Sequence, residues 1–327
     1  MSTILVTGGA GFLGAHLVAL LLGQGHRVIA IDSLWTGSAE SIAKLSSQVG
    51  FTFIQHDVSK PFPPEVQHVD QIYHLACPAS PKRFPENPLG ILDTCFAGTR
   101  NVLELGLRCN ARVLLASTSE VYGDPLICPQ PETYWGNVNS FGPRSCYDEG
   151  KRVAEALAYA YRKQHGVEIR IARIFNAYGP GIRPDDGRVV PNFVTAAITG
   201  RDIEIAGDGT ASRCFQYVSD CVEGLNVLMN SSCESPVNIG CEDETSIGQL
   251  AEIIRDLVSR KLGRQTVKVK LTGKREDDPF RRQPDISLAR EKLHWSPKVD
   301  LATGLEATVD WFLSLERESL VSTTITV

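Results

Sequence analysis

The sequence predicts an α/β fold: a doubly wound parallel sheet followed by a smaller C-terminal α/β substrate-binding domain. Three observations carry that prediction. Short apolar runs alternate with longer stretches of helical periodicity, the pattern of parallel strands joined by crossover helices. The first run, Ile4-Leu5-Val6, feeds directly into a glycine-rich turn and then a helix. Beyond Pro180 the character changes, and residues 181–187, rich in Gly, Pro and charge, mark a boundary. The chain has 327 residues, enough for one large or two modest domains. We place the first at 1–180, with 214–241 returning to it, and the second mainly at 181–327.

The elements follow in order. Ile4-Leu5-Val6 reads as a buried parallel strand. It meets Thr7 to Gly14, which holds both Gly9-x-Gly11-x-x-Gly14 and the wider Gly8-x-x-Gly11-x-x-Gly14, with Phe12 and Leu13 inside the loop. A helix runs through Leu17, Leu20 and Leu21 until Gly23 and Gly25 end it, and Arg27 to Ile31 is the next strand, with Asp32 at its end. Phe51 to Ile54 is a third strand ending near Asp57-Val58, and Gln71 to Ala76 a fourth, leading into the stiff loop Cys77-Pro78-Ala79-Ser80-Pro81. Asn87 to Leu107 reads as one long helix with Leu92, Phe96, Val102 and Leu103 inward. Arg112 to Ala116 is the fifth strand, a helix carries Tyr147 to Leu157, and Glu168 to Ile174 is the sixth strand. Later come two Gly-rich turns, 207–209 and 237–240, a helix from Ile247 to Leu257 and a last helix from Thr303 to Leu315.

Composition narrows the function. Hydrophobic residues at 43% and charged residues at 22% suit a soluble globular protein, and the net charge of −5 without a basic cluster argues against a nucleic-acid partner. No apolar run is long enough to span a bilayer, so no membrane partner is expected. The chain opens directly into a strand with no room for a signal peptide, and its nine cysteines include no Cys-x-x-Cys pair. Reduced thiols, no metal site and a cytoplasmic location are therefore expected. Residues 320–327 look like a frayed tail.

Two motifs carry chemistry. Glycines at 8, 11 and 14 allow a tight turn and a close backbone approach to a pyrophosphate, and the following helix N-terminus offers N–H donors and a favourable dipole. Asp32, 18 residues after Gly14, is placed to accept from an adenosine ribose hydroxyl and to repel a 2′-phosphate, which favours NAD over NADP. Asp57 can either bind the adenine amino group or form the turn before Ser59-Lys60-Pro61; both readings stay open. The second motif pairs Tyr147 with Lys151, four residues on and hence on the same helix face. A phenol has a reference pKa of about 10, and a neighbouring ammonium lowers it toward a usable base. Ser117-Thr118-Ser119-Glu120 stands at the end of the fifth strand, the sheet edge where ligands bind in such folds.

Together these motifs resemble the extended short-chain dehydrogenase/reductase family of nucleotide-sugar enzymes, whose first domain is Rossmann-type, and the resemblance covers nearly the whole chain. The stretches 74–81, 117–125, 142–152, 186–190 and 215–220 resemble the UDP-glucuronate decarboxylases (UDP-xylose synthases) within it. The resemblance implies NAD as cofactor, in contact with Gly8, Gly11, Phe12, Leu13, Gly14, Asp32, Asp57, Val58, Ala76, Tyr147 and Lys151. It implies a catalytic set of Tyr147, Lys151, Thr118, Glu120, Ser119 and Arg282. It implies a UDP-sugar bound by Asn176, Arg213 and Arg282; Arg188 is a further candidate, and Tyr217 is either uracil-side packing or core packing. The related dTDP-glucose 4,6-dehydratases usually carry an Asp where this chain has Ser119; that Asp supplies the proton dehydration needs and decarboxylation does not. The implied reaction is oxidation at C4, loss of CO2 from the 4-keto acid and re-reduction to UDP-xylose with internal recycling of NAD. The charge of Glu120 is expected to encourage CO2 loss by repulsion. A 4-epimerase or a decarboxylase releasing the UDP-4-keto-pentose remains an alternative on the same scaffold. The family's usual homodimer is implied as well, through helices near 90–107 and 147–164.

Overall fold

The computed structural model describes residues 1–263, 267–273 and 281–315. Its centre is a seven-stranded sheet. Six strands are β1 (Thr3–Thr7), β2 (Arg27–Asp32), β3 (Phe51–Gln55), β4 (Gln71–His74), β5 (Arg112–Thr118) and β6 (Ile169–Ile174); the seventh is Pro236–Ile239. Their order is Pro236–Ile239, β6, β5, β4, β1, β2, β3, and every pairing is parallel. The direction of winding reverses between β1 and β4. A crevice therefore opens beyond the carboxyl ends of these strands, at Thr7, His74 and Thr118.

Both faces of the sheet are covered, which is why the strands read as short apolar runs. On one face the helices Phe12–Gly23 and Val218–Asn230 bury Leu17, Val18, Leu21, Leu225, Leu228 and Met229. On the other, the helices Thr99–Cys109 and Ser145–His165 bury Val102, Leu103, Leu105, Ala154 and Ala158. A second apolar core lies C-terminal to the boundary, among the helices Val189–Thr199, Ile247–Leu262 and Leu301–Ser314 and the parallel strand pair Ile203–Ala206 and Val269–Thr272. Ser246 and Gln249 cap the helix Ile247–Leu262 reciprocally, and Gly263, at φ +64°, ends it.

A third element is small but places chemistry. The strand Ser212–Cys214 pairs antiparallel with Glu244–Ser246 and parallel with Arg281–Arg282. The register sets Arg282 directly against Arg213, although 69 positions separate them in the chain.

Some expectations are corrected. The long helix from Asn87 is broken into Pro88–Asp93 and Thr99–Cys109 by a π-helical turn over Thr94–Gly98. That wider turn shifts the phase, so Ile91 and Cys95 point inward while Leu92 and Phe96 are exposed, opposite to the expected placement. Residues 237–240 do not form a Gly-rich turn; Val237 to Ile239 belong to the seventh strand. The fourth strand stops at His74, which leaves Ala76 in the following loop. The expected tail at 320–327 lies outside the described residues.

Candidate active site

One deep cleft runs along the carboxyl edge of the sheet. Its floor is the Gly8–Gly14 turn at one end and the 116–120 segment with Tyr147 and Lys151 at the other; its far wall carries Asn176, Arg188, Arg213 and Arg282.

The glycine end is shaped by missing side chains. Gly8 adopts φ +74°, and a Cβ there would lie 2.8 Å from the backbone of Leu75 and Ala76. A Cβ on Gly14 would lie 2.0 Å from the Gly8 carbonyl oxygen, so only glycine lets the helix Phe12–Gly23 start this close to the turn. The backbone is thereby exposed to the cleft, at a helix N-terminus whose first N–H groups have no intrahelical partner. Asp32 is buried at the end of β2 and accepts from the amides of Ala10, at 3.1 Å, and Leu34, at 2.8 Å. Burial holds its carboxyl above the usual range against those two amides. Gly37 faces Asp32, where a Cβ would come within 2.7 Å of Oδ1. An open, side-chain-free cradle with one carboxylate at the next strand end fits a dinucleotide.

The other end is shaped by side chains. Lys151 donates to the Ala116 carbonyl oxygen at 2.8 Å, and its ammonium lies 5.8 Å from the Tyr147 ring centre. The Tyr147 hydroxyl is hydrogen-bonded to Thr118, and Thr118 in turn accepts from the Glu120 amide at 3.2 Å. Phe84 stacks on Tyr147 with ring centres 5.1 Å apart. Burial, reinforced by the neighbouring Cys77, pushes the Tyr147 phenol well above its ordinary pKa. The expected lowering by the Lys151 ammonium, with a bound oxidised nicotinamide pushing the same way, is opposed here by desolvation of the phenolate. Behind the pair, His74 bridges the hydroxyls of Thr7 (2.7 Å) and Thr99 (3.2 Å); burial and the Lys151 charge lower its pKa to about 3, so it stays neutral.

Glu120 is gripped by two guanidiniums. Arg282 reaches it with both terminal nitrogens, at 2.8 and 2.6 Å, and Arg144 at 2.9 Å. Burial pushes its carboxyl up, but Arg282 and then Arg144 outweigh that and hold it below the usual range. Asp148 joins the cluster 3.7 Å from Arg144; burial first, and the nearby Glu120, raise its pKa to about 7. Two cations surround the single charge of Glu120, which works against the expected repulsion of a carboxylate.

The structure brings Thr118, Ser119, Glu120, Tyr147, Lys151 and Arg282 into one end of the cleft, with Asn176, Arg188 and Arg213 along it. Arg188 is paired through Nε and Nη2 with Asp186, and Ser80 donates to the Asp186 carbonyl oxygen, closing the 183–188 loop over the cleft. Three other expected contact residues have partners within the protein. Tyr217 packs edge-on against Tyr178 and beside Gly304. Val58 is buried in the apolar layer against Gly98. Asp57 accepts from the Ser59 amide at 2.9 Å, the turn-forming role left open above. Ala76 lies in the loop flanked by the cleft residues Leu75 and Cys77. Arg144 and Phe84 were missed; the signal for Arg144 was its place three residues before Tyr147, at the start of the same helix.

Among the described residues, no group of three His, Cys, Asp or Glu side chains is arranged to hold a metal ion, and no helix is long and apolar enough to cross a membrane.

A seven-stranded Rossmann-type sheet with a glycine cradle at one end of its crevice and a Thr-Tyr-Lys group at the other defines an enzyme of the extended short-chain dehydrogenase/reductase class. Residues 5–308 match the family model for GDP-mannose 4,6 dehydratase. The chain is 52% identical over 303 residues to UDP-glucuronic acid decarboxylase 6 of Arabidopsis thaliana, covering 92% of this chain and 86% of that one. It is 50% identical over 309 residues to UDP-glucuronic acid decarboxylase 1 of Xenopus tropicalis, covering 94% and 72%. Among solved structures it resembles UDP-glucuronic acid 4-epimerase from Bacillus cereus in complex with UDP-glucuronic acid and NAD, with TM-score 0.84, 28% identity, and 96% and 100% of the two chains covered. The chain belongs to the UDP-glucuronic acid decarboxylase family.

Proposed function

We propose that the protein decarboxylates UDP-glucuronate to UDP-xylose through a UDP-4-keto intermediate, with NAD as its recycled cofactor. The observation that carries this reading is the convergence of Tyr147, Lys151 and Thr118 with a Glu120 held between Arg282 and Arg144, at the far end of a cleft that begins as a dinucleotide cradle. In this reading Tyr147 takes the proton of the sugar C4 hydroxyl while Thr118 hydrogen-bonds the same oxygen. NAD+, which the Gly8–Gly14 turn would hold, would supply a reversible hydride acceptor for C4, and its positive charge would add to that of Lys151 in favouring the phenolate. The C4 ketone then lies β to the C6 carboxylate, so the electrons of the broken C5–C6 bond are delocalised onto the C4 oxygen. Tyr147 and Thr118 stabilise that oxygen as it gains charge. Arg282 orients the carboxylate before it leaves, and Glu120, with Ser119 beside it, serves the proton delivered to C5. Ser119 supplies no acid for expelling a 6-hydroxyl, which favours decarboxylation over dehydration.

The remaining assignments belong to the same reading. Asn176, Arg213 and the outer face of Arg188 take the diphosphate. Residues 1–180 with 214–241 form the cofactor half, supported by the packing of Val218–Asn230 and Pro236–Ile239 on the main sheet, and 181–327 mainly form the UDP-sugar half. A cytoplasmic homodimer is proposed, supported by free thiols and by the exposed Leu92 and Phe96 on the helical segment preceding Thr99.

The test is mass spectrometry of the products from purified protein, UDP-glucuronate and catalytic NAD+. A UDP-pentose with no net NADH is expected. UDP-4-keto-pentose with stoichiometric NADH would mean that the final reduction is lost, and an isomer of unchanged mass would replace the reading with a 4-epimerase.

A further inference from the structure

Cys77 and Cys95 play no part in the proposed reaction, yet their placement is specific. Their sulfurs lie 3.5 Å apart, within hydrogen-bonding range, although neither sequence spacing nor secondary structure links them. Cys77 is half-buried in the loop after β4 and opens to the cleft; Cys95 is buried directly behind it in the π-helical turn. The Cys95 sulfur in turn rests on the helix of Tyr147 and Lys151, 3.0 Å from where a Cβ of Gly150 would stand. Cys146 lies in the same small apolar cluster, as do Phe84 and Tyr147.

A thiol that is solvent-reachable, close to a cation and backed by a second thiol has the arrangement of a redox-reactive cysteine with its resolving partner. We propose that Cys77 and Cys95 form a hydroperoxide-reactive dithiol whose oxidation reversibly switches off the adjacent catalytic centre. The Cys77 thiolate attacks the hydroperoxide, breaking its O–O bond, forming Cys77 sulfenic acid and releasing an alcohol or, from hydrogen peroxide, water. The Cys95 sulfur then attacks the Cys77 sulfur, and the sulfenic hydroxyl leaves as water with the proton of Cys95. Two thiols are oxidised by two electrons and one hydroperoxide is reduced.

The surroundings favour this order. The hydrogen bond shared with Cys95, opposed by burial and helped by the Lys151 charge, holds the Cys77 thiol below its ordinary pKa, while the same bond and burial push Cys95 up. Cys77, on the cleft, is therefore the thiol that meets the hydroperoxide, and Cys95, buried behind it, is the resolving partner. A disulfide bond of about 2.05 Å requires the sulfurs to close by roughly 1.5 Å. That movement draws the π-helical turn away from Gly150, which lies between Tyr147 and Lys151, and catalysis is sensitive to displacements of this size.

The full chain is treated with hydrogen peroxide, and intact mass, cysteine-mapped peptides and turnover of UDP-glucuronate with NAD+ are followed. The expected result is loss of two hydrogen masses, a peptide pair joined through Cys77 and Cys95, and a fall in turnover of about tenfold or more that dithiothreitol restores. Cys95→Ser keeps its activity before treatment, forms no crosslink and instead gives a Cys77 sulfenic acid trapped by dimedone. A crosslink through Cys146 or any other cysteine, an unchanged mass, or the same two-hydrogen loss in Cys95→Ser overturns the proposal. The activity arm rests on the decarboxylase reading, but the mass and peptide arms do not, so failure of either idea is seen separately.

Discussion

The two ends of the cleft are built by opposite means. The glycine end is made of backbone. It comes from one contiguous stretch, residues 7–14, plus a carboxylate one strand later, and its shape depends on side chains that are missing. The sugar end is made of side chains, brought together from four distant segments at 116–120, 144–151, 213 and 282. Its charges balance one another before any ligand is considered, with Glu120 held by Arg282 and Arg144. A backbone site tolerates little because nothing in it can rotate away. A side-chain site can be retuned one residue at a time, which accounts for epimerases, dehydratases and decarboxylases sharing one scaffold.

That contrast predicts different failures at the two ends. The largest effect is expected at the sugar end on turnover alone. Tyr147→Phe removes the hydroxyl proposed to move the proton and keeps the ring that stacks on Phe84. kcat should fall about 10²- to 10⁴-fold, with KM for UDP-glucuronate and the melting temperature nearly unchanged. If KM rises and kcat holds, Tyr147 binds substrate and does not move the proton.

At the glycine end the damage should be structural. Gly14→Ala drives a methyl group to 2.0 Å from the Gly8 carbonyl oxygen, a contact that only backbone movement relieves. We expect a loss of about 3 kcal/mol in unfolding free energy, the upper part of the usual range for one substitution. Weakened NAD+ binding by calorimetry should accompany it. A variant of unchanged stability would mean that the cradle is softer than its geometry implies.

Arg282→Met sharpens the comparison from the other side. Breaking a lone buried ion pair costs about 3–5 kcal/mol. Here Arg144 still grips Glu120, so a cost of about 2–3 kcal/mol is expected from chemical denaturation, with much of it recovered in Arg282→Met/Glu120→Gln. Failure of the second substitution to recover stability would show that the arginine matters for packing and not for its charge.

The same contrast explains what was legible in the sequence. Six strands of the sheet and the glycine cradle follow from local patterns: apolar runs, Gly spacing and an acid at the next strand end. Tyr147 and Lys151 were legible for the same reason, since four residues on a helix fix their relative placement. The juxtaposition of Arg282 with Arg213 was not, because it depends on a parallel strand pairing across 69 residues whose partners are only two and three residues long. The packing of Tyr217 was not legible either, because its strand, Gln216–Tyr217, pairs with Ala177–Tyr178 and turns the ring toward Tyr178. Leu92 and Phe96 were misread because a π-helical turn leaves no composition signal and resets the helix phase. The burial of Tyr147 was not legible, because spacing reveals a neighbouring charge and says nothing of desolvation.

The smallest expected effect concerns Asp148, which stands on the helix of Tyr147 but belongs electrostatically to the Glu120 cluster. Its neighbours are Glu120, Arg144, Arg282 and Glu149, and its Oδ1 has no hydrogen-bond partner among the described residues. Its folded-state pKa is raised to about 7 by burial and then by Glu120, whereas an unfolded Asp titrates near 3.9. Between those values the folded chain holds a proton that the unfolded chain has released. Stability contributed by this group is therefore present at low pH and is lost as pH rises from about 4 to about 7, with no further change above. Glu120, whose pKa is lowered, works in the opposite sense and loses its contribution only as pH falls into the carboxylate range. Asp148→Asn removes the first dependence and leaves the second. Relative to the parent chain, the variant should therefore gain stability steadily from pH 5 to about 7 and hold the gain at pH 8, read as the difference between their melting temperatures. A difference that is constant across that range would mean Asp148 stays ionised in the folded chain, with the cluster carrying two negative charges against its two arginines.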